Sequence, residues 1–87
     1  MKEVIKETFQ FTDEKLPSGA IVTKAKVTIE DKTVTSIQEG AIVVNDSRFT
    51  FSLHGGDAGL YCNIMGVPMG LDGQSYVKEF IDSVESL

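Results

Sequence analysis

The stretch QSYVKEFIDSVES, residues 74–86, decides the fold class because its apolar residues recur at spacings of three and four. This pattern predicts an amphipathic helix from about Gln74 to Ser86, with charged and polar residues on the opposite face. Either Asp72 or Ser75 can cap its N-terminus, depending on where the first turn begins. The predicted apolar stripe consists of Tyr76, Val77, Phe80, Ile81, Val84 and Leu87.

The residues before the helix predict β-hairpins. Asn45-Asp46 separates two segments rich in β-branched and aromatic residues, and both turn residues tolerate a positive φ. Pairing around this turn places Ile42 opposite Phe49 and Val44 opposite Ser47. The predicted partner strand then shows a clear alternation, with three large apolar residues on one face: Phe49, Phe51 and Leu53.

A second two-residue turn at Asp31-Lys32 places Ile29 opposite Val34. Gly40 interrupts the strand that follows and predicts a bulge or break there. The strand before the turn runs from Ala20 to Glu30. Its alternation predicts one apolar face made of Ile21, Ala25, Val27 and Ile29.

The N-terminal strand is expected from Val4 to Thr12, with Ile5, Phe9 and Phe11 on one face. Glu7 breaks that face, which predicts an edge strand. A polar loop punctuated by Pro and Gly is expected over residues 12–19.

These patterns predict a single α+β domain over residues 1–87. Its sheet is a mostly antiparallel meander of about five or six strands within residues 3–65. The last predicted strand runs from Leu60 to Met65, among Gly-rich loops at 55–73. The C-terminal amphipathic helix, about 74–86, packs on one face of the sheet.

The net charge of −5 and the pI of about 4.6 disfavour nucleic acid and anionic membranes as partners. Residues 40–87 hold two cations and six acids, for a net charge of −4. A protein partner with a basic surface is therefore the expected complement. Cys62 is the only cysteine, and the N-terminus shows no signal-peptide pattern, so a cytoplasmic location is expected.

Six of the eight glycines fall between residues 55 and 73. Backbone amides in Gly-rich loops can bind phosphate, but this segment lacks the P-loop ending and the dinucleotide fingerprint. Turns that reverse the chain explain the glycines more simply. The candidate ligand-binding residues here are Gly55, Gly56, Asp57, Tyr61 and Met69. One further apolar cluster is a candidate adaptable binding patch, although covering the end of the sheet is the simpler reading. It consists of Tyr61, Met65, Val67, Met69 and Leu71.

His54 and Cys62 invite a nucleophile–base interpretation. They share a face of the predicted hairpin if it is symmetric about Asp57, and they lie on opposite faces if its register differs by one residue. No cysteine-hydrolase signature surrounds Cys62. One His and one Cys are too few ligands for structural zinc, and no metal site or cofactor is expected.

Three acids lie on the polar face of the predicted helix, and two of them fall in its last turns, where the macrodipole favours cations. These residues, Glu79, Asp82 and Glu85, are the candidate partner-binding surface. Core packing can also outweigh the small electrostatic cost without any partner.

By elimination, the sequence favours a small non-enzymatic protein-interaction module of the inhibitor or accessory type that self-associates. One alternative is a small-molecule or nucleotide-binding protein with its site at the 55–73 loops. The other is a minimal cysteine hydrolase that uses Cys62 and His54.

Overall fold

A computed structural model describes residues 6–57 and 59–86 of the chain. Over these residues five strands and one helix follow one another in the order β1 (Lys6–Lys15), β2 (Ile21–Glu30), β3 (Thr33–Val44), β4 (Ser47–Gly56), β5 (Gly59–Met65) and α1 (Gly73–Glu85). The strands form one antiparallel sheet in the order β1-β2-β3-β4-β5. The predicted meander with a C-terminal helix is confirmed.

The registers predicted around the two short turns are confirmed. Ile42 pairs with Phe49 and Val44 with Ser47 around the turn at 45–46. The turn at 31–32 likewise places Ile29 opposite Val34. These registers hold because each one keeps the apolar residues of two neighbouring strands on the same face.

The glycine in β3 marks a bulge, as the sequence predicts. The pairing of β3 with β4 shifts between Ile37 and Gly40. A Cβ atom at Gly40 would lie 2.6 Å from the Phe51 ring, so the ring occupies the space that a side chain would need. The glycine thus lets an aromatic side chain pack directly against the backbone of the next strand.

Two details of the strand prediction are wrong. Strand β1 continues to Lys15, so residues 12–15 belong to the sheet and the loop begins only at Leu16. The prediction that Ile21 belongs to the buried face of β2 also fails, since Ile21 is exposed and Val22 is fully buried. The pairing of β2 with β3 shifts near Lys24, and this irregularity reverses the face on which the following side chains lie.

The helix α1 packs on one face of the sheet. Val77, Phe80 and Val84 are its buried large residues, and the Phe80 ring makes edge-on contacts with Phe11 and Phe51. Tyr76 and Ile81 are half-buried at the sides of this stripe, and the predicted Leu87 lies outside the described residues. The opposite face of the sheet is left uncovered by the helix.

The helix begins and ends with defined caps. The Asp72 side chain accepts a hydrogen bond from the Ser75 amide at 3.3 Å, which decides between the two candidate caps in favour of Asp72. Ser86 is the C-cap residue. None of the helices in the described part of the chain is long and apolar enough to cross a membrane.

Candidate functional site

The five candidate ligand-binding residues do not form one pocket. Gly55 and Gly56 end strand β4, Asp57 lies in the turn that follows, and Tyr61 lies in β5. Met69 follows the other end of β5, which at seven residues spans roughly 20 Å. The expected site at the 55–73 loops is therefore divided between the two ends of a hairpin.

Tyr61 lies on the uncovered face of the sheet, where it is packed between two neighbours. Its ring stacks with His54, with 5.5 Å between the ring centroids and 27° between the planes. A Cβ atom at Gly56 would overlap the Tyr61 ring, so this glycine leaves the room that the ring occupies. The glycine at 56 therefore serves aromatic packing on the sheet surface.

The pairing of β4 with β5 determines on which face of the sheet the side chains of His54 and Cys62 lie. His54 pairs with Tyr61 and Leu53 pairs with Cys62, so His54 and Cys62 lie on opposite faces of the sheet. Partial burial raises the pKa of the Cys62 thiol, which disfavours the thiolate that a nucleophile needs. This arrangement offers no nucleophile–base pair at these two residues.

Two of the three candidate partner-binding acids make hydrogen bonds within the fold. Glu79 Oε1 accepts from the Ser18 amide at 2.9 Å, and Glu85 Oε2 accepts from the Val34 amide at 2.8 Å. Each carboxylate thus ties the helix to a turn or strand end of the sheet. Asp82 lies between them in sequence and is exposed. The hydrogen bond of Glu85 gives this acid a role within the fold near the helix C-terminus, where the macrodipole disfavours a negative charge.

Strand β5 combines exposed apolar side chains with an absence of charge. Leu60 is 45% exposed, Tyr61 48% and Met65 66%, while Met69 just beyond the strand is fully exposed. Residues 58–71 contain no charged side chain. Four of the six exposed large apolar residues among those described lie in this short segment, so it forms the main apolar surface of the protein.

Strand β5 is also an edge of the sheet, because within residues 6–57 and 59–86 only β4 pairs with it. Its pairing with β4 runs without a shift from Gly56–Gly59 to Thr50–Met65. In an antiparallel ladder, the pair that closes a two-residue turn is hydrogen-bonded, and hydrogen-bonded pairs alternate from there. The backbone groups of Leu60, Cys62 and Ile64 therefore face away from β4, toward the open edge.

The sequence itself carries a signal for this edge. The patch formed by Tyr61, Met65 and Met69 is visible in the pattern, whereas the role of the backbone depends on strand order. Residues 58–71, which include the predicted strand, form a run of 14 residues without charge. Such a run distinguishes an unprotected edge strand from one protected by charges.

A shallow groove lies on the uncovered face of the sheet beside the His54–Tyr61 stack. Its charged lining residues are two cations, Lys24 and Arg48, and one acid, Glu39, and its polar and apolar lining includes Ser52, Asn63 and Met65. Ser52 and Asn63 form the next pair on the same face as His54 and Tyr61 in the β4–β5 ladder, so the groove and the stack are continuous. Among residues 6–57 and 59–86, no three His, Cys, Asp or Glu side chains cluster in a way that could hold a metal ion.

Comparison of the chain with known protein families, with curated proteins and with solved structures finds no match. The functional argument therefore depends on the geometry of the chain itself.

Proposed function

We propose that this protein is a small non-enzymatic interaction module, of the inhibitor or accessory type, that binds a strand of another protein chain along its β5 edge. The proposal includes self-association, since a second copy can supply such a strand. Strand addition to an open sheet edge is a common mode of protein recognition, in which main-chain hydrogen bonds give affinity and exposed side chains give specificity.

The observation that carries this proposal is the state of the β5 edge. Natural sheets protect exposed edges with charges, prolines, bulges or covering segments. Strand β5 has no charge, no proline and no interruption in its pairing with β4. It also exposes Leu60, Tyr61 and Met65, so an added strand would gain apolar contacts as well as hydrogen bonds.

The acidic character of the chain favours a partner whose surface around that strand is basic. The net charge is −5, and exposed Asp82 lies on the outer side of α1. Charges around an interface mainly increase the rate of encounter and exclude partners of like charge. Glu79 and Glu85 would add to the negative charge around the interface while keeping their hydrogen bonds to Ser18 and Val34.

A charge placed at the centre of β5 tests the proposal. Cys62→Lys puts a charged side chain at the centre of β5, on a residue whose backbone groups face the open edge, and a charge at an edge strand opposes strand addition. Gln10→Lys is the matched control, because it makes the same change in net charge on an exposed residue of β1. Light scattering after size exclusion and affinity capture from a lysate of the source cells measure association for both variants.

We expect the wild-type protein and Gln10→Lys to associate with a second chain, either a copy of itself or a captured protein. Cys62→Lys should be a folded monomer that captures neither. Circular dichroism and a thermal melt establish that each variant is folded. If Cys62→Lys associates as the wild type does, the β5 edge is not the binding surface.

A second candidate function is supported by the uncovered face of the sheet. The stack of His54 on Tyr61 offers an aromatic surface to a base. In the adjoining groove Lys24 and Arg48 outnumber the one acid, Glu39, which leaves a net positive charge for a phosphate. This arrangement favours a nucleotide ligand. A nucleotide site here would lie on the uncovered face rather than at the 55–73 loops. Gly55, Asp57 and Met69 would not belong to it, since those residues lie at the hairpin tip or beyond the far end of β5.

Thermal-shift measurements with nucleoside mono-, di- and triphosphates distinguish the two functions. A nucleotide site predicts a rise in Tm that is lost in both Arg48→Gln and Tyr61→Ala. A strand-binding module predicts no shift with any nucleotide. Gly55→Ala serves as a control, because its added Cβ would have only a contact of 3.9 Å to the Thr35 carbonyl.

A further inference from the structure

Building on the proposed function, we propose that the strand bound by β5 is β5 of a second copy, paired antiparallel across a twofold axis at Cys62. The two sheets would then form one continuous sheet of ten strands. Cys62 is the central residue of the strand Gly59–Met65, with three residues on either side.

The positions of the outward-facing backbone groups select this register. Leu60, Cys62 and Ile64 carry the N–H and C=O groups that point away from β4. With the axis at Cys62, Leu60 pairs with Ile64 of the partner subunit, and the two copies of Cys62 pair with each other. All three outward residues then bond, giving about six hydrogen bonds. An axis at Tyr61 or Asn63 would leave one of the three unpaired.

The side chains are compatible with the same register. On the face covered by the helix, Leu60 meets Ile64 of the partner subunit, so apolar groups oppose apolar groups. On the uncovered face, Tyr61 meets Asn63 of the partner subunit. No charged side chains are brought opposite each other, even though each chain carries a net charge of −5.

Charge also explains why the partner strand is β5 rather than β1 of another copy. Strand β1 carries five charged residues among ten, and these would have to be placed against the apolar side chains of β5. A β1–β5 contact is also head-to-tail and generates an open filament unless it closes into a ring. The twofold β5–β5 contact uses one edge per copy and stops at a dimer, with a charged β1 at each outer end.

A pair of seven-residue strands is a small interface, so the dimer is expected to dissociate with a constant on the order of micromolar. Covalent trapping is therefore the sharpest test. In a hydrogen-bonded antiparallel pair the two Cα atoms lie about 5.5 Å apart, which falls within the roughly 4.4–6.8 Å range of disulfides. The two Cys62 thiols should thus be able to form a disulfide across the axis.

The 87-residue chain is treated with diamide at a protein concentration above the expected dissociation constant. Two thiols lose two protons and two electrons to one diamide molecule, which becomes the hydrazide, and one S–S bond forms. Non-reducing gel electrophoresis should show a dimer that dithiothreitol returns to monomer, and that disappears on dilution before oxidation. Cys62→Ser should give no covalent dimer.

A cysteine moved by one residue tests the register. In the double variant Cys62→Ser, Asn63→Cys, the two introduced thiols lie two residues apart along the paired strands, with Cα atoms about 8 Å from each other. This variant should form the disulfide dimer at least tenfold more slowly than the wild type. Equal or faster trapping through position 63 would overturn the register.

The failure of this inference is distinguishable from failure of the proposed function. A wild-type protein that remains monomeric at every concentration, and gives no covalent dimer, overturns the second copy as partner. The proposed function would still stand if the same protein captures a different chain that Cys62→Lys does not capture. Absence of both results would overturn both proposals.

Discussion

Strand β1 carries five charged residues among its ten, whereas β5 carries none among its seven. Both are edges of the same sheet, and each pairs with only one neighbour. In β1 the charges and the positive φ of 50° at Asp13 oppose the approach of another strand. In β5 the ladder is regular and the exposed side chains are apolar. This small sheet therefore protects its β1 edge and leaves its β5 edge open.

The two edges also differ in how the helix supports them. Phe80 of α1 contacts Phe11 in β1, and the start of the helix at Gly73 approaches Ile64 in β5 and Val67 beyond it. The helix therefore fixes both edges while covering only one face of β5. An open edge held on a rigid support can accept a strand with little further ordering of its own.

Removing the aromatic side chain that supports the sheet should have the largest effect. Phe80 is fully buried and contacts both Phe11 and Phe51. Phe80→Ala should lower the free energy of unfolding by about 3–5 kcal/mol, enough to unfold much of the protein and abolish the contrast between the edges. Urea denaturation measures the change. Met69→Ala, at a fully exposed residue, should change stability by less than about 0.5 kcal/mol. Similar losses in the two variants would contradict this assignment of the core.

The acids of the helix provide the next test. If Glu85 is held by a hydrogen bond within the fold, it is less available to a partner than the residues of the β5 edge. Glu85→Ala removes the acceptor of the Val34 amide and should cost about 1–2 kcal/mol of stability. Asp82→Ala removes an exposed carboxylate near the helix C-terminus and should raise stability by a few tenths, about 0.3 kcal/mol. Thermal and urea unfolding compare the two. A loss in Asp82→Ala as large as in Glu85→Ala would contradict the structural role of Glu85.

The reactivity of the Cys62 thiol should reflect its partly buried position in β5. Burial raises the pKa of Cys62, so its thiolate fraction at neutral pH is below that of an ordinary cysteine. Labelling with iodoacetamide should be slow near pH 7 and should rise about tenfold per pH unit until the pH passes the raised pKa. The free thiol of glutathione is the control. A Cys62 that labels faster than glutathione at pH 7 would instead support the cysteine-hydrolase alternative.

Salt should have the smallest effect and should separate the two kinds of partner. Raising NaCl from about 50 to about 500 mM screens the repulsion between two chains of net charge −5, so β5–β5 association should stay constant or strengthen by a few-fold. Binding to a basic partner should weaken over the same range. Sedimentation velocity at each salt concentration measures the dimer. A dimer that dissociates as salt rises would indicate an interface built on ion pairs rather than on β5.

Most of the fold was predictable because local patterns determine it. The turns at 31–32 and 45–46 and the alternation beside them fix three strands, and the spacing of apolar residues fixes the helix. The buried positions of Ala25 and Val27 in β2 were predicted correctly, but the exposure of Ile21 was not predictable, because irregular pairing near Lys24 changes the face without changing the composition of the strand. The extension of β1 to Lys15 depends on pairing with Ile21, which outweighs the polar character of residues 12–15.

The candidate site was less predictable than the fold. Sequence pattern singled out Tyr61 and Met69 but favoured a role in covering the end of the sheet, and it could not show that Met69 and Gly55 lie at opposite ends of a hairpin. Nor could it show which side of β5 carries unpaired backbone groups, since that depends on strand order and on the exact pair that closes the turn. The hydrogen bonds of Glu79 and Glu85 span 61 and 51 residues of sequence, which no local pattern reveals.

Amide hydrogen exchange measured by NMR at increasing protein concentration tests the central claim most directly, because it reports on both edges in one sample. We expect the amides of Leu60, Cys62 and Ile64 to become more protected as the protein concentration rises, while the outward-facing amides of β1 exchange quickly throughout. Protection that grows along β1, with the amides of β5 unchanged, would contradict the assignment of β5 as the open edge.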